Sequence, residues 1–150
     1  MKLPKSGLKA AEIFQKLDAY ASGDVDGSSG RVFGYVFDPG SAISEFAKQV
    51  YSRFLSANAL DFTVYPSVLR FENDLIAIMR RHLRGGDEVV GNFTSGGTES
   101  ILLAVKAARD YYRHHRPQIE RPQMILPSTA HAAFHKAAHY FGIETHCCPK

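Results

Sequence analysis

The fold prediction for this chain depends most on one stretch, Gly91-Asn92-Phe93-Thr94-Ser95-Gly96-Gly97-Thr98-Glu99-Ser100. It follows Glu88-Val89-Val90, which has the composition of a short extended segment. It leads into apolar residues at helical spacing, namely Ile101, Ala104, Val105, Ala108 and Tyr112. The stretch therefore predicts a strand, a tight turn and a helix in succession.

Two features of this turn predict a bound anion. Gly96 and Gly97 carry no side chain, which lets another group approach the backbone closely. The first N–H groups of the new helix have no partner within it, and the positive end of the helix dipole points the same way. Thr98 and Ser100 add hydroxyl donors, so a phosphate is the expected ligand. On glycine content alone, a capped helix after a glycine turn is the simpler interpretation.

The spacing excludes two well-known phosphate motifs. No Lys follows the second glycine, as a nucleotide P-loop requires. The positions of Gly91, Gly96 and Gly97 also do not match the G-x-G-x-x-G pattern of dinucleotide-binding turns.

The composition is that of an ordinary globular protein. The 150 residues are 45% hydrophobic and 22% charged, with a net charge of +3. No apolar run approaches the roughly 20 residues that span a bilayer, and no signal peptide is recognised. We therefore expect a cytoplasmic protein without an integral membrane segment. The basic residues lie near predicted helix ends, without a nucleic-acid-binding module, which disfavours nucleic acid as a partner.

The two cysteines, Cys147 and Cys148, are adjacent in the chain. Neighbouring cysteines rarely form a structural disulfide, so we expect reduced thiols in a buried strand.

The first 60 residues predict helices separated by loops. Amphipathic patterns predict helices over residues 8–21 and 41–58, with a loop at 22–30 and an extended segment at 31–37. Pro66 suits the first turn of a third helix, which Gly85 and Gly86 end. We assign residues 1–60 to an N-terminal helical segment and residues 61–150 to the start of a larger domain.

From residue 88 the predicted order is strand, helix, strand, helix, strand. The elements are predicted at 88–90, 97–115, 123–126, 131–141 and 143–148. This alternation predicts an α/β fold with a mainly parallel sheet covered by helices. Ligands of such folds bind at the carboxyl ends of strands, so the glycine stretch and the turn Pro127–His131 are expected to face one ligand. Three strands make a small sheet for these helices, which predicts a chain that continues beyond residue 150.

Three of the seven histidines, His131, His135 and His139, are spaced four residues apart. A histidine pair at that spacing can hold zinc, but no acidic third ligand is placed for it, so no metal site is predicted. His135 and His139 are expected on the helix surface. His131 lies at the predicted turn from strand to helix, where a flat imidazole can stack on a flat cofactor ring.

Two motifs together resemble the sphingosine-1-phosphate lyase family of pyridoxal-phosphate (PLP) enzymes. The first is Thr94–Ser100, and the second begins Ser128-Thr129-Ala130-His131-Ala132-Ala133-Phe134 and runs to Gly142. The intervening segment 104–110 also matches the helix of that family, and weaker likeness extends upstream to about residue 34. The related decarboxylases share the loop and the histidine, but their histidine is usually followed by a serine.

The resemblance implies the PLP-dependent transferase fold of type I (aminotransferase-like), with residues 61–150 as the start of its PLP-binding large domain. It implies a homodimeric carbon–carbon lyase that cleaves sphingosine 1-phosphate, a phosphorylated long-chain amino alcohol, into a fatty aldehyde and phosphoethanolamine. By the same resemblance, Gly97 and Thr98 bind the phosphate of PLP and His131 stacks on its pyridine ring. It implies no catalytic residue within 1–150, since the Schiff-base lysine of the family is expected further along.

One departure from the family concerns the phosphate of the substrate. In the family, a Tyr in a Gly-x-Val-Tyr stretch and a His in an Asn-Pro-Leu-His stretch contact that phosphate. This chain has Gly34-Tyr35-Val36-Phe37 and Asn58-Ala59-Leu60-Asp61. Phe37 cannot donate a hydrogen bond, and an ionised Asp61 repels a phosphate. Either Tyr35 or residues beyond 150 compensate, or the substrate is a different molecule.

Two alternatives stay open at this point. A PLP-dependent amino-acid decarboxylase of the same fold would release carbon dioxide from an amino acid. A non-catalytic phosphate-binding module is the alternative if 150 residues are the whole protein, because such a chain has no Schiff-base lysine.

Overall fold

The computed structural model describes residues 6–149, and the chain divides into two compact units, residues 1–57 and 58–150. The first unit holds helices α1 (Ala10–Ala21) and α2 (Ser41–Arg53), with a 3-10 turn at Gly27–Ser29 between them. The second unit holds α3 (Pro66–His82), α4 (Gly97–His115), β1 (Gln123–Pro127), α5 (Ala132–Phe141) and β2 (Glu144–Cys148).

The segment between α1 and α2 turns where an extended segment was predicted. Gly34 and Tyr35 both have positive φ angles, 102° and 64°. The prediction for 31–37 is therefore wrong. Alternating aromatic and β-branched residues favour a strand only where a neighbouring strand completes the hydrogen-bond ladder. The described residues of this unit hold no such strand.

The second unit begins with α3, whose ends follow the chemistry of its sequence. Pro66 lies in the first turn, as predicted, because a proline there lacks an N–H that would in any case be unpaired. The last turn holds Arg80, Arg81 and His82, whose positive charge complements the negative end of the helix dipole. The helix ends at His82, shortly before the Gly85-Gly86 pair.

Strands β1 and β2 pair in parallel, in a register that runs from Gln123 opposite Glu144 to Pro127 opposite Cys148. Helix α5 connects them, so the predicted strand–helix–strand order over residues 123–148 is confirmed. The prediction of a strand at 88–90 is wrong. The Val89 N–H donates to the Gly86 carbonyl at 3.2 Å in a turn, and no strand among residues 6–149 lies beside this segment to pair with it.

The core of the second unit lies between α4, α5 and β1. Its buried apolar residues are Val105, Leu126, Ala133, Ala137 and Ala138. Three of the five are alanines of α5, and such small side chains let a helix backbone approach its neighbours closely. Helix α5 consequently packs along both α4 and β2.

Cys147 and Cys148 are free thiols, but both are exposed, so the prediction of buried cysteines is wrong. The described sheet has two strands, which makes β2 an edge strand, and its side chains are covered by few neighbours. Among residues 6–149, no helix combines the length and the apolar character that crossing a bilayer requires.

Candidate functional site

Helix α4 begins at Gly97 and presents unpaired backbone donors. The Ser100 N–H donates to the Gly96 carbonyl at 3.1 Å and closes the first turn. Within the described part of the chain, the N–H groups of Gly97, Thr98 and Glu99 have no acceptor. A β-carbon placed on Gly96 or Gly97 would meet no atom within 4 Å. Three donors at the positive end of a 19-residue helix are thus open to a ligand.

Glu99 holds the residue before the two glycines. Its Oε2 accepts from the Ser95 N–H at 2.7 Å and from the Ser95 hydroxyl at 2.6 Å. These two bonds, the hydroxyl first, hold the pKa of Glu99 below its usual value. The carboxyl is therefore ionised near neutral pH, and its negative charge is favourable in the first turn of the helix.

A second link closes the loop over the glycines. The Thr94 and Ser100 hydroxyl oxygens lie 2.6 Å apart, and the Thr94 hydroxyl donates to the Gly96 carbonyl at 3.2 Å. Since Thr94 has one hydroxyl proton, Ser100 is the donor in the shorter bond. The Ser100 proton is thus engaged within the loop. The Thr98 side chain makes no hydrogen bond to the described residues and remains available.

A third link comes from α3. Glu72 Oε1 accepts from the Phe93 N–H at 2.9 Å, across 21 positions of sequence. Among residues 6–149 no strand pairs with Phe93, and the Glu72 carboxylate accepts the backbone N–H that would otherwise be left unpaired there.

His131 caps the N-terminus of α5. Its Nδ1 accepts from the Ala133 N–H at 3.1 Å. A neutral imidazole that accepts at Nδ1 carries its proton on Nε2. The capping bond therefore restrains the ring and leaves Nε2–H free to donate. The helix-surface positions predicted for His135 and His139 are confirmed, since both are exposed.

The starts of α4 and α5 lie at one edge of the sheet. Helices α4 and α5 lead into the amino-terminal ends of β1 and β2, respectively, so both run antiparallel to the strands and begin near the carboxyl ends of the strands. Near the ends of the two helices, Arg109 Nη1 donates to the Phe141 carbonyl at 3.4 Å. At the helical rise per residue, Gly97 lies about 18 Å along α4 from Arg109, and His131 lies about 15 Å along α5 from Phe141. From this topology we expect Gly97, Thr98 and His131 near the carboxyl ends of the strands.

The three residues predicted to face the substrate phosphate are distributed between the two units. Tyr35 and Phe37 belong to the first unit and have exposed side chains. Asp61 belongs to the second unit, where its Oδ1 accepts from the Thr63 hydroxyl at 2.6 Å and the Thr63 N–H at 2.8 Å. These bonds, the hydroxyl first, lower the pKa of Asp61. Asp61 is therefore an ionised acceptor within a turn, and it has no proton to donate to a phosphate.

The sequence reasoning missed the structural roles of Glu72, Thr94 and Glu99. A signal for Glu99 was present, because a serine followed by a glutamate at a helix start is typical of capping interactions. Here the spacing from Ser95 is four residues, one more than in the usual capping box. Glu72 lies in the middle of a helix and gave no local signal.

Comparison with known proteins decides which family the chain resembles. Sphingosine-1-phosphate lyase 1 of Rattus norvegicus is 38% identical over 142 residues, which is 95% of this chain and 25% of that protein. The chain is similar to one segment of a sphingosine-1-phosphate lyase. It spans about a quarter of the length of the curated lyases that it matches. No protein-family model matches the chain.

The solved structure of the sphingosine-1-phosphate lyase from Burkholderia pseudomallei K96243 matches with a TM-score of 0.83 at 32% identity. The match covers 99% of this chain and 36% of that one. It confirms the predicted fold class, that of PLP-dependent type I enzymes. A probable L-aspartate decarboxylase of Pyrococcus furiosus is 32% identical over 96% of this chain and 36% of its own length.

Proposed function

We propose that the chain is part of a PLP-dependent aldehyde lyase that cleaves sphingosine 1-phosphate, or a related phosphorylated long-chain amino alcohol. The observation that carries this proposal is the similarity of nearly the whole chain to lyases of that name, at 38% identity for the rat protein. The products are a fatty aldehyde and phosphoethanolamine. We further infer that residues 61–150 begin the PLP-binding domain and that the complete enzyme is a homodimer.

The residues at the sheet edge fit PLP. The N–H groups of Gly97 and Thr98 and the Thr98 hydroxyl bind its phosphate, because these donors are open and point from the positive end of α4. The bare glycines leave room for the phosphate oxygens against the backbone. His131 lies against the pyridine ring and is restrained there by its bond to the Ala133 N–H.

When bound, PLP takes up the electrons released as the carbon–carbon bond breaks. The residues of this chain bind and orient. The α4 donors fix the phosphate end of the cofactor, and the capped His131 ring restricts the tilt of the pyridine end. Such restraint at two points keeps the scissile bond of the substrate in a productive orientation.

An amino-acid decarboxylase is the second candidate, and a specific observation favours it. Phe37 and Asp61 occupy the positions at which the lyase family contacts the substrate phosphate, and Asp61 is ionised and bonded to Thr63. An amino acid without a phosphate needs no donors there. The similarity to the probable aspartate decarboxylase of Pyrococcus furiosus is consistent with that activity.

The experiment uses the complete native gene product. One portion is incubated with PLP and reduced with borohydride, and its intact mass is measured by mass spectrometry. A second, unreduced portion is incubated with PLP, and its products from dihydrosphingosine 1-phosphate and from L-aspartate are measured. One PLP fixed to a lysine, with long-chain aldehyde as product, supports the lyase. Carbon dioxide from the amino acid with no aldehyde establishes the decarboxylase instead. No fixed cofactor and no product leaves a phosphate-binding module.

A further inference from the structure

We propose that Glu72 is a positioning residue that holds the glycine loop in place for the phosphate of PLP. This inference rests on the proposed function and adds to it a residue outside the phosphate-binding motif. Glu72 is half-buried on α3, and its Oε1 accepts from the Phe93 N–H at 2.9 Å. Phe93 lies directly before Thr94, the residue whose hydroxyl spans the loop.

The other links around the loop are internal to it. Glu99 bonds to Ser95 and Thr94 bonds to Ser100, so both links join the loop to the first turn of α4. They set the shape of the loop, but they do not set its position in the unit. Among the hydrogen bonds of the described residues, the one from Phe93 to Glu72 joins the loop to α3.

Packing on α3 supports the same segment. A β-carbon on Gly91 would lie 3.2 Å from Cδ1 of Ile76, so the chain before the loop passes directly against that side chain. Positions 72 and 76 are four apart and share one face of a helix. One face of α3 thus holds this segment through a hydrogen bond and through an apolar contact.

The charge of Glu72 does not itself attract PLP, since a carboxylate repels a phosphate. Its contribution is a directed acceptor for the Phe93 N–H, which pairs with no strand in the part of the chain that the structure describes. This distinction predicts which substitutions are tolerated. Glutamine keeps an acceptor oxygen at nearly the same place, whereas leucine keeps the bulk and removes the acceptor.

The test measures PLP binding and amide hydrogen exchange in the complete gene product. In the wild type we expect the Phe93 amide to exchange slowly in the absence of PLP. Glu72→Leu should remove that protection and raise the Kd for PLP about tenfold, the effect of losing one hydrogen bond to a charged group. Glu72→Gln should restore the protection and bring the Kd within about threefold of the wild type, by the same reasoning on a neutral acceptor. Asp74→Asn is the matched control on α3, because Asp74 is exposed and bonds to none of the described residues.

Several outcomes overturn the proposal. The proposal is wrong if the Phe93 amide of the wild type exchanges at the unprotected rate. This measurement needs no variant, so it holds even where Glu72→Leu fails to fold. If Glu72→Gln and Glu72→Leu weaken PLP binding equally, the effect is due to the charge of Glu72 and not to its acceptor oxygen. Failure of the proposed function is distinguishable from these results: the wild type then binds no PLP, while the protection of Phe93 and its loss in Glu72→Leu still report the link to α3.

Discussion

The guanidinium carbon of Arg109 lies 5.0 Å from the centre of the Phe141 ring. Arg109 Nη1 also donates to the Phe141 carbonyl at 3.4 Å, and Nη2 lies 2.7 Å from Asp110 Oδ1. The Arg109 side chain is only 15% exposed, so these contacts are partly protected from water. One cation on α4 therefore binds the last residue of α5, at the negative end of that helix dipole.

We expect Arg109→Met to lower the free energy of unfolding by about 1 to 2 kcal/mol, because methionine keeps much of the apolar stem and loses the cation–π contact and the hydrogen bonds. Thermal unfolding of the complete protein measures the change. Arg113→Met, at an exposed position of the same helix, is the control and should be nearly neutral. Equal effects of the two substitutions would show that the Phe141 contact contributes nothing.

Gly97→Ala should separate stability from cofactor binding. The added methyl group meets no protein atom within 4 Å, and alanine lowers the entropy of the unfolded chain, so stability should be unchanged or rise by up to about 1 kcal/mol. Under the proposed function the same methyl group takes the space of the PLP phosphate, so the Kd for PLP should rise at least about tenfold, a conservative estimate for a close steric contact. Thermal unfolding and PLP titration are measured together. Gly23→Ala also meets no atom and should leave PLP binding unchanged.

Two substitutions of His131 should distinguish helix capping from ring stacking. His131→Asn keeps a good N-cap acceptor but removes the imidazole, so stability should be retained while PLP affinity and turnover fall. His131→Ala removes both, and should also cost about 1 kcal/mol of stability. The measurements are chemical denaturation and PLP titration of both variants. Wild-type affinity in His131→Asn would refute a stacking role for the ring.

The hydrogen bonds of Glu99 predict how the stability of the protein changes at acid pH. Its pKa is lowered in the folded state, first by the Ser95 hydroxyl and then by the Ser95 N–H. A lowered folded-state pKa adds stability above the usual value of 4.5, and this contribution is lost as the pH falls below it. The difference in thermal midpoint between wild type and Glu99→Gln should therefore be largest at pH 6 and shrink toward pH 3. Glu120→Gln, at an exposed position without described partners, should give a small difference at every pH.

The elements that the sequence predicts well are those whose signals are local. Helices α3, α4 and α5 each begin or end at a residue that the sequence marks, such as Pro66, Gly97 or Gly142. The strand expected at Glu88-Val89-Val90 failed because strand formation depends on a partner, and a local pattern does not reveal whether one exists. The exposure of Cys147 and Cys148 depends in the same way on what covers β2.

The same distinction between local and tertiary signals applies to the candidate site. The helix start at Gly97 and the cap at His131 follow from residues near one another in the chain, so both positions were predictable. The hydrogen bond between Glu72 and Phe93 spans 21 positions and depends on the tertiary packing of α3. A mid-helix glutamate carries no local signature of such a bond.

The alanines at 133, 137 and 138 have a consequence for protein engineering. They are at most 3% exposed, so α5 lies closely against its neighbours. A side chain larger by two methylene groups at Ala137 overpacks this contact, which costs roughly 1 to 3 kcal/mol and shifts the helix backbone. His131 lies at the start of the same helix, so we expect its position to change as well. Under the proposed function, a mutant library confined to α5 core positions would therefore change the cofactor geometry from a distance, with Gly97, Thr98 and His131 all left in place.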